Sequence, residues 1–231
     1  MADNRKLPAA GAEVQAFLAK VARAPAPALG GRGRLLFAMD ATASREPSWD
    51  QACSIQAQMF AETAALGGLE IQLAYYRGIG EFDASPWVAR GEELVDLMRR
   101  VYCAGGPTQI GAVLRHALGE TRRQRVNALV FVGDCMEEAA DDLYARAGEL
   151  GLRGVPLFVF QEGFDRLAEP VFREIARLSG GAWCRFDSAS PQQLRDLLSA
   201  VAVYAAGGRR ALRDFSQQRG GDVLRIVRQI R

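Results

Sequence analysis

The chain has 231 residues, 49% of them hydrophobic and 24% charged, a globular balance that excludes a fibre, a collagen-like repeat and a disordered chain. Lysine and arginine total 29 against 27 acidic residues, so a net charge of +2 gives no whole-chain electrostatic case for nucleic acid or a membrane surface. No stretch approaches the roughly 18 apolar residues of a membrane span and no apolar h-region follows Met1, so the chain is expected in the cytoplasm.

Residues 1–33 hold one predicted helix, 12–22, with Val14, Phe17, Leu18 and Val21 at helical spacing, followed by a Pro/Gly linker. An apolar run at 34–40 ends in Asp40 and reads as a strand buried on both faces. A helix over 49–66 follows, with Ser48 and Gln51 at capping-box spacing and Gly67-Gly68 as its stop. Further strands are predicted at 69–76, 126–132, 155–160 and 183–186, and an edge strand or hairpin within 78–89. The intervening helices fall at 92–102, 108–121, 137–150 and 165–179, with a closing helix at 191–206. This alternation predicts an α/β fold: a doubly wound, mostly parallel sheet with one antiparallel edge strand and helices on both faces. The domain is expected over 34–206. Residues 207–231 form a basic tail with seven arginines against Asp214 and Asp222, in which Val223, Leu224, Val227 and Ile230 form one stripe of a predicted helix.

Ligands of a doubly wound sheet bind at the carboxyl ends of its strands. The first strand delivers Asp40, Thr42 and Ser44 on one loop, another loop brings Thr108 after Gly105-Gly106-Pro107, and the strand at 126–132 delivers Asp134. All five are hard oxygen donors, which suits Mg2+ or Mn2+ before Ca2+. A single histidine, His116, excludes every site that needs two or three imidazoles. The glycines at 30, 31 and 33 precede the first strand instead of following it, so no dinucleotide fingerprint is present. Lys6 and Lys20 are the only lysines and neither lies in a P-loop.

The spacing Asp40-x-Thr42-x-Ser44, followed by a distant Thr108 and a distant Asp134 at a strand end, resembles the metal-ion-dependent adhesion site of von Willebrand factor type A (VWA) domains. The family pattern has serine where this chain has Thr42, so the hydroxyl is kept and a methyl is added. The resemblance implies direct ligation by Thr42 or Ser44 and by Thr108, with Asp40 and Asp134 acting directly or through water and hydroxyl hydrogen bonds. It also implies an open coordination position for an Asp or Glu of a protein partner, and therefore a non-catalytic interaction module. Intracellular bacterial relatives often work beside AAA-type ATPases, which makes an adaptor or subunit role an expectation. Arginine-rich, lysine-poor usage fits a GC-rich bacterial source. Two other classes stay open: a Mg2+-dependent hydrolase using Asp40, and a structural subunit with a vestigial metal site.

The remaining chemistry-bearing residues carry bland expectations. His116 lies off the apolar face made by Ile110, Leu114, Ala117 and Leu118, so it is expected in solvent. Cys53, Cys103, Cys135 and Cys184 lack CxxC spacing and are expected as free thiols, with Cys103 and Cys135 small packed residues that flank the site loops. Glu137 and Glu138 form either an acidic rim or a complement to a helix N-terminus.

Overall fold

Strand β1, Gly33–Asp40, is buried at all eight positions, as an apolar run in the middle of a parallel sheet must be. The computed structural model describes residues 16–17, 19–24, 32–45, 49, 52, 68–186 and 191–218. Beside β1 lie β2, Leu69–Arg77, and β4, Ala128–Gly133, both parallel to it. The short β3, Glu81–Ala84, runs antiparallel to β2 at one edge. Parallel strands β5, Leu157–Glu162, and β6, Ala182–Phe186, complete the order β3-β2-β1-β4-β5-β6. The expected mostly parallel sheet with one antiparallel edge strand is what the chain forms.

Alternation along the strands splits the core into two layers. Leu35, Phe37 and Met39 of β1 join Val130, Val132, Phe158 and Phe160 on one face. That face is covered by helix α1, Gly91–Arg99, and by the last helix α5, Pro191–Gln218. Leu36 and Ala38 join Leu129, Phe131 and Val159 on the other face. There α2, Ile110–Arg123, α3, Ala140–Leu152, and α4, Ala168–Leu178, supply the cover. Trp49, which with Ala52 is the described part of the predicted helix 49–66, donates its indole N–H to the Met98 carbonyl.

The register of β1 against β4 decides where the loops land. Asn127 accepts from the Arg34 N–H at 2.8 Å, and the Arg34 carbonyl accepts from the Asn127 N–H at 2.8 Å. The buried Arg34 guanidinium also donates to the Gln124 carbonyl and lies 3.6 Å from both Glu70 and Glu120. A slip of one residue would carry Asp40 to the opposite face of the sheet, so these contacts at the bottom of β1 hold its top end in place.

Most predicted boundaries shift by one to three residues, the helix expected over 92–102 ending at Arg99 among them, and three of the shifts have a visible cause. Glu137 and Glu138 precede α3; the Glu138 carboxylate serves a different helix and that of Glu137 the loop before it, described below. Asp165 lies outside α4, where its Oδ1 accepts from the Leu167 and Ala168 N–H groups and caps the first turn. The closing helix does not stop at 206. It bends at Gly208, where φ is +70°, and continues to Gln218 with Ala211 and Leu212 buried. Arg209, just past the bend, donates to the Ala24 and Arg23 carbonyls. The predicted tail helix near 223–230 lies outside the described residues. No helix among the described residues is long and apolar enough to cross a membrane.

The part of the predicted 12–22 helix that is described packs into the main core. Phe17 is fully buried, its ring edge-on to Phe160 at 5.1 Å and to Phe158 at 6.0 Å. Its truncation leaves a cavity against Phe158 and Phe160 of β5. Phe17→Ala should therefore cost about 3 to 5 kcal/mol in urea denaturation; a loss below about 1 kcal/mol would show that this segment is not part of the core.

Candidate metal centre

The sheet order places β1 between β2 and β4, so the chain leaves β1 in one direction and the rest of the sheet grows in the other. The crevice between the carboxyl ends of β1 and β4 is the topological switch point. Met39 pairs with Val132, and the next residues upward bring Asp40 and Asp134 to that crevice. Asp40 is fully buried. Its Oδ1 accepts from the Thr42 N–H at 2.7 Å, an Asx-type contact that turns the chain sharply into a single 3-10 turn at Ala43–Arg45. The turn brings Thr42 Oγ1 within 3.4 Å of Ser44 Oγ, and Ser44 Oγ donates to Asp134 Oδ2 at 2.8 Å. Four of the five sequence-selected residues are thus joined in one hydrogen-bonded chain across two loops.

Thr108, the fifth, is buried and arrives by a different route. The Ala41 N–H donates to the Tyr76 carbonyl, the Ala104 N–H to the Ala41 carbonyl and the Gly78 N–H to the Ala104 carbonyl. Gly106 then passes so close to the turn after β2 that a Cβ there would stand 1.9 Å from the Gly78 carbonyl oxygen, so only glycine fits. Thr108 Oγ1 accepts from the Glu137 N–H at 3.0 Å, while the Thr108 N–H donates to Glu137 Oε2 at 3.1 Å. Its contacts therefore run to the loop that follows Asp134.

Glu138 completes this junction. The residue preceding α2, Gln109, offers no side-chain cap. Glu138 replaces it from 27 residues away in sequence, accepting from the Gly111 N–H at 2.8 Å and from the Ile110 N–H. A carboxylate on the first amides of a helix satisfies orphan donors and complements the helix dipole. Glu138 therefore acts on α2, while the exposed Glu137 braces Thr108 just ahead of that helix and keeps its place on the rim. Burial is the main cause that raises the Glu138 pKa, opposed by these backbone donors.

Electrostatics make the crevice unusual. One donor atom each from Asp40, Asp134 and Cys135 lie within 4.8 Å of one another. Two ionised carboxylates at that separation repel by about 3.5 kcal/mol at an effective dielectric constant of about 20. Asp134 Oδ1 is buried and has no hydrogen-bond partner among the described residues. Tyr76, fully buried beneath them, has its pKa pushed well up by burial and then by the Asp40 charge. The Cys135 thiol is pushed up to about 12, by burial first and the Asp134 charge second. Close carboxylates with an unsatisfied buried oxygen fit a bound cation, which offsets their repulsion and supplies the missing partner.

Cys135 was not in the oxygen-donor set. The sequence signal was its adjacency to Asp134, outweighed by the prior that a lone cysteine is packing. Cys103, Cys135 and Cys184 form no disulfide among the described residues, and Cys53 lies outside them. His116 differs from expectation. It is half-buried, with Nε2 2.9 Å from Gln72 Oε1 and its ring 5.3 Å from Phe82. Residues from β2 and β3 cover a flank of α2 that the helix's own periodicity reads as open.

No protein-family model and no curated protein matches the chain. Solved structures do. The SpRpn10 VWA domain matches at 14% identity and TM-score 0.56, over 72% of this chain and 94% of that one. A von Willebrand factor type A structure from Catenulispora acidiphila matches at 17% and 0.58, over 75% of this chain and 43% of that one. Proximal thread matrix protein 1 of the mussel byssus, with a zinc-occupied metal-ion-dependent adhesion site, matches at 15% and 0.60, over 74% and 46%. The chain spans less than half the length of these last two. These likenesses establish a VWA-like α/β fold.

Burial lowers the His116 pKa below 6.5, against an opposing pull from Glu120. The unfolded chain then binds a proton at a higher pH than the folded one, so stability is full above 6.5 and falls as pH drops from 6.5 through the depressed value. With one histidine in the chain, its imidazole NMR signal is unambiguous. A midpoint below 6.5 is expected; one above 6.5 would contradict the buried placement.

Proposed function

We propose that the chain is a cytoplasmic, non-catalytic protein-interaction module of the VWA type, which binds a divalent cation and through it a carboxylate of a partner. The observation that carries this reading is the convergence of Asp40 and Asp134 at the switch point, bridged by Ser44 and with Asp134 Oδ1 unsatisfied. Asp40, Thr42, Ser44, Thr108 and Asp134 are the residues proposed to hold the ion, Mg2+ or Mn2+ on the oxygen donors alone. When bound, the ion supplies positive charge to a crevice that is otherwise acidic and accepts an Asp or Glu side chain at an open position.

Two features support interaction over hydrolysis. Asp40 is fully buried and already engaged by the Thr42 N–H, a poor disposition for a nucleophile that must reach a substrate. The same end of the sheet carries exposed Ile79 and Tyr102 on one side of the crevice and exposed Phe164 and Leu167 on the other, apolar surface of the kind a protein partner covers. A role beside an AAA-type ATPase rests on the family resemblance alone.

The test has two stages. Millimolar Mg2+ or Mn2+ should raise the melting temperature over that in EDTA, by about 2.7 kcal/mol of stability at a hundredfold excess over Kd, and Asp40→Ala should abolish the rise. An array of Asp- and Glu-bearing peptides should then retain the wild-type protein only with cation present, and not Asp134→Ala. Retention that survives EDTA would contradict the cation-mediated reading.

A further inference from the structure

We propose that Cys135 is itself a ligand of the cation, which makes the centre a mixed oxygen and sulfur site and turns its preference toward thiophilic ions such as Zn2+ over Mg2+. The inference deepens the proposed cation site and rests on it. Its basis is geometric: Cys135 Sγ and one carboxylate oxygen each from Asp40 and Asp134 lie within 4.8 Å of one another. An ion with metal–oxygen bonds of about 2.1 Å and a metal–sulfur bond of about 2.3 Å holds such donors about 3.6 Å apart at a tetrahedral angle and about 4.4 Å apart when opposite. Three atoms no more than 4.8 Å apart lie within about 2.8 Å of a common point, so closing in by about half an ångström brings them to ligation distance.

Cys135 is also set apart from the other described thiols. Cys184 belongs to the buried core and Cys103 packs against it, whereas Cys135 belongs to neither apolar layer. Its segment is fixed at both sides, by Ser44 on Asp134 and by Glu137 and Glu138 on the start of α2. A thiol held in that place costs little further ordering to ligate. As the sulfur–metal bond forms, the thiol proton passes to water. A thiolate beside two carboxylates then favours Zn2+ or Co2+, whereas oxygen donors alone favour Mg2+.

Co2+ serves as the probe, added to chelator-treated, reduced full-length protein. Wild type should show a near-ultraviolet thiolate-to-cobalt charge-transfer band, and Cys103→Ser should keep it. Cys135→Ser should still bind Co2+ in calorimetry but lose the band, and its Zn2+ affinity should fall by at least about tenfold. Co2+ binding of equal affinity in wild type and Cys135→Ser, with no band in either, would overturn the role of Cys135 while leaving the oxygen site intact. Failure of wild type to bind Co2+, Zn2+ or Mg2+ would overturn both.

Discussion

Two carboxylates brought within a few ångströms of each other in a partly buried crevice repel, and the upper end of this fold is organised around that arrangement. Asp40 and Asp134 come from neighbouring strands, so the sheet itself forces them together. The Thr42 N–H and the Ser44 hydroxyl offset part of the cost, and one oxygen of Asp134 is left unsatisfied. Sites that concentrate like charge in this way are maintained where a proton or a cation occupies them.

Holding the pair in place requires rigidity from below and from the side. From below, the Arg34 and Asn127 contacts lock β1 against β4, and the two apolar layers, with Phe17 packed on Phe158 and Phe160 of β5, resist any shift of the sheet. From the side, the loops are stapled backbone to backbone through Ala41, Tyr76, Gly78 and Ala104. Glu137 and Glu138 extend the bracing to α2, so the position of Asp134, the start of α2 and the placement of Thr108 are mechanically one unit. A change at any of these three points must be felt at the other two.

What could be read in advance follows the range of the interactions. The strands and the Asp40, Thr42 and Ser44 loop are legible because a buried strand announces itself by a short apolar run and its loop by polar residues two apart. Asp134 was legible for the same reason. The capping of α2 by Glu138 was not, because the two partners are 27 residues apart and no local pattern links them. His116 was misplaced because helical periodicity describes one face only, and Gln72 and Phe82 close the adjacent flank from other strands. The bend at Gly208 was mistaken for an end, since a glycine with positive φ stops a helix in one context and redirects it in another. Cys135 offers a single local signal, its adjacency to Asp134, which a small packed residue shows equally.

The central claim is that repulsion between Asp40 and Asp134 is relieved by a cation, and it is tested most directly by urea denaturation of wild type and Asp134→Asn, each in EDTA and in millimolar Mn2+. Asparagine removes one charge and presents an amide to Asp40. The account predicts a crossover, with the variant more stable than wild type in EDTA and less stable in Mn2+. A variant less stable than wild type by the same margin in both conditions would contradict it, because the pair would then be a structural hydrogen-bonding unit with no need of an ion.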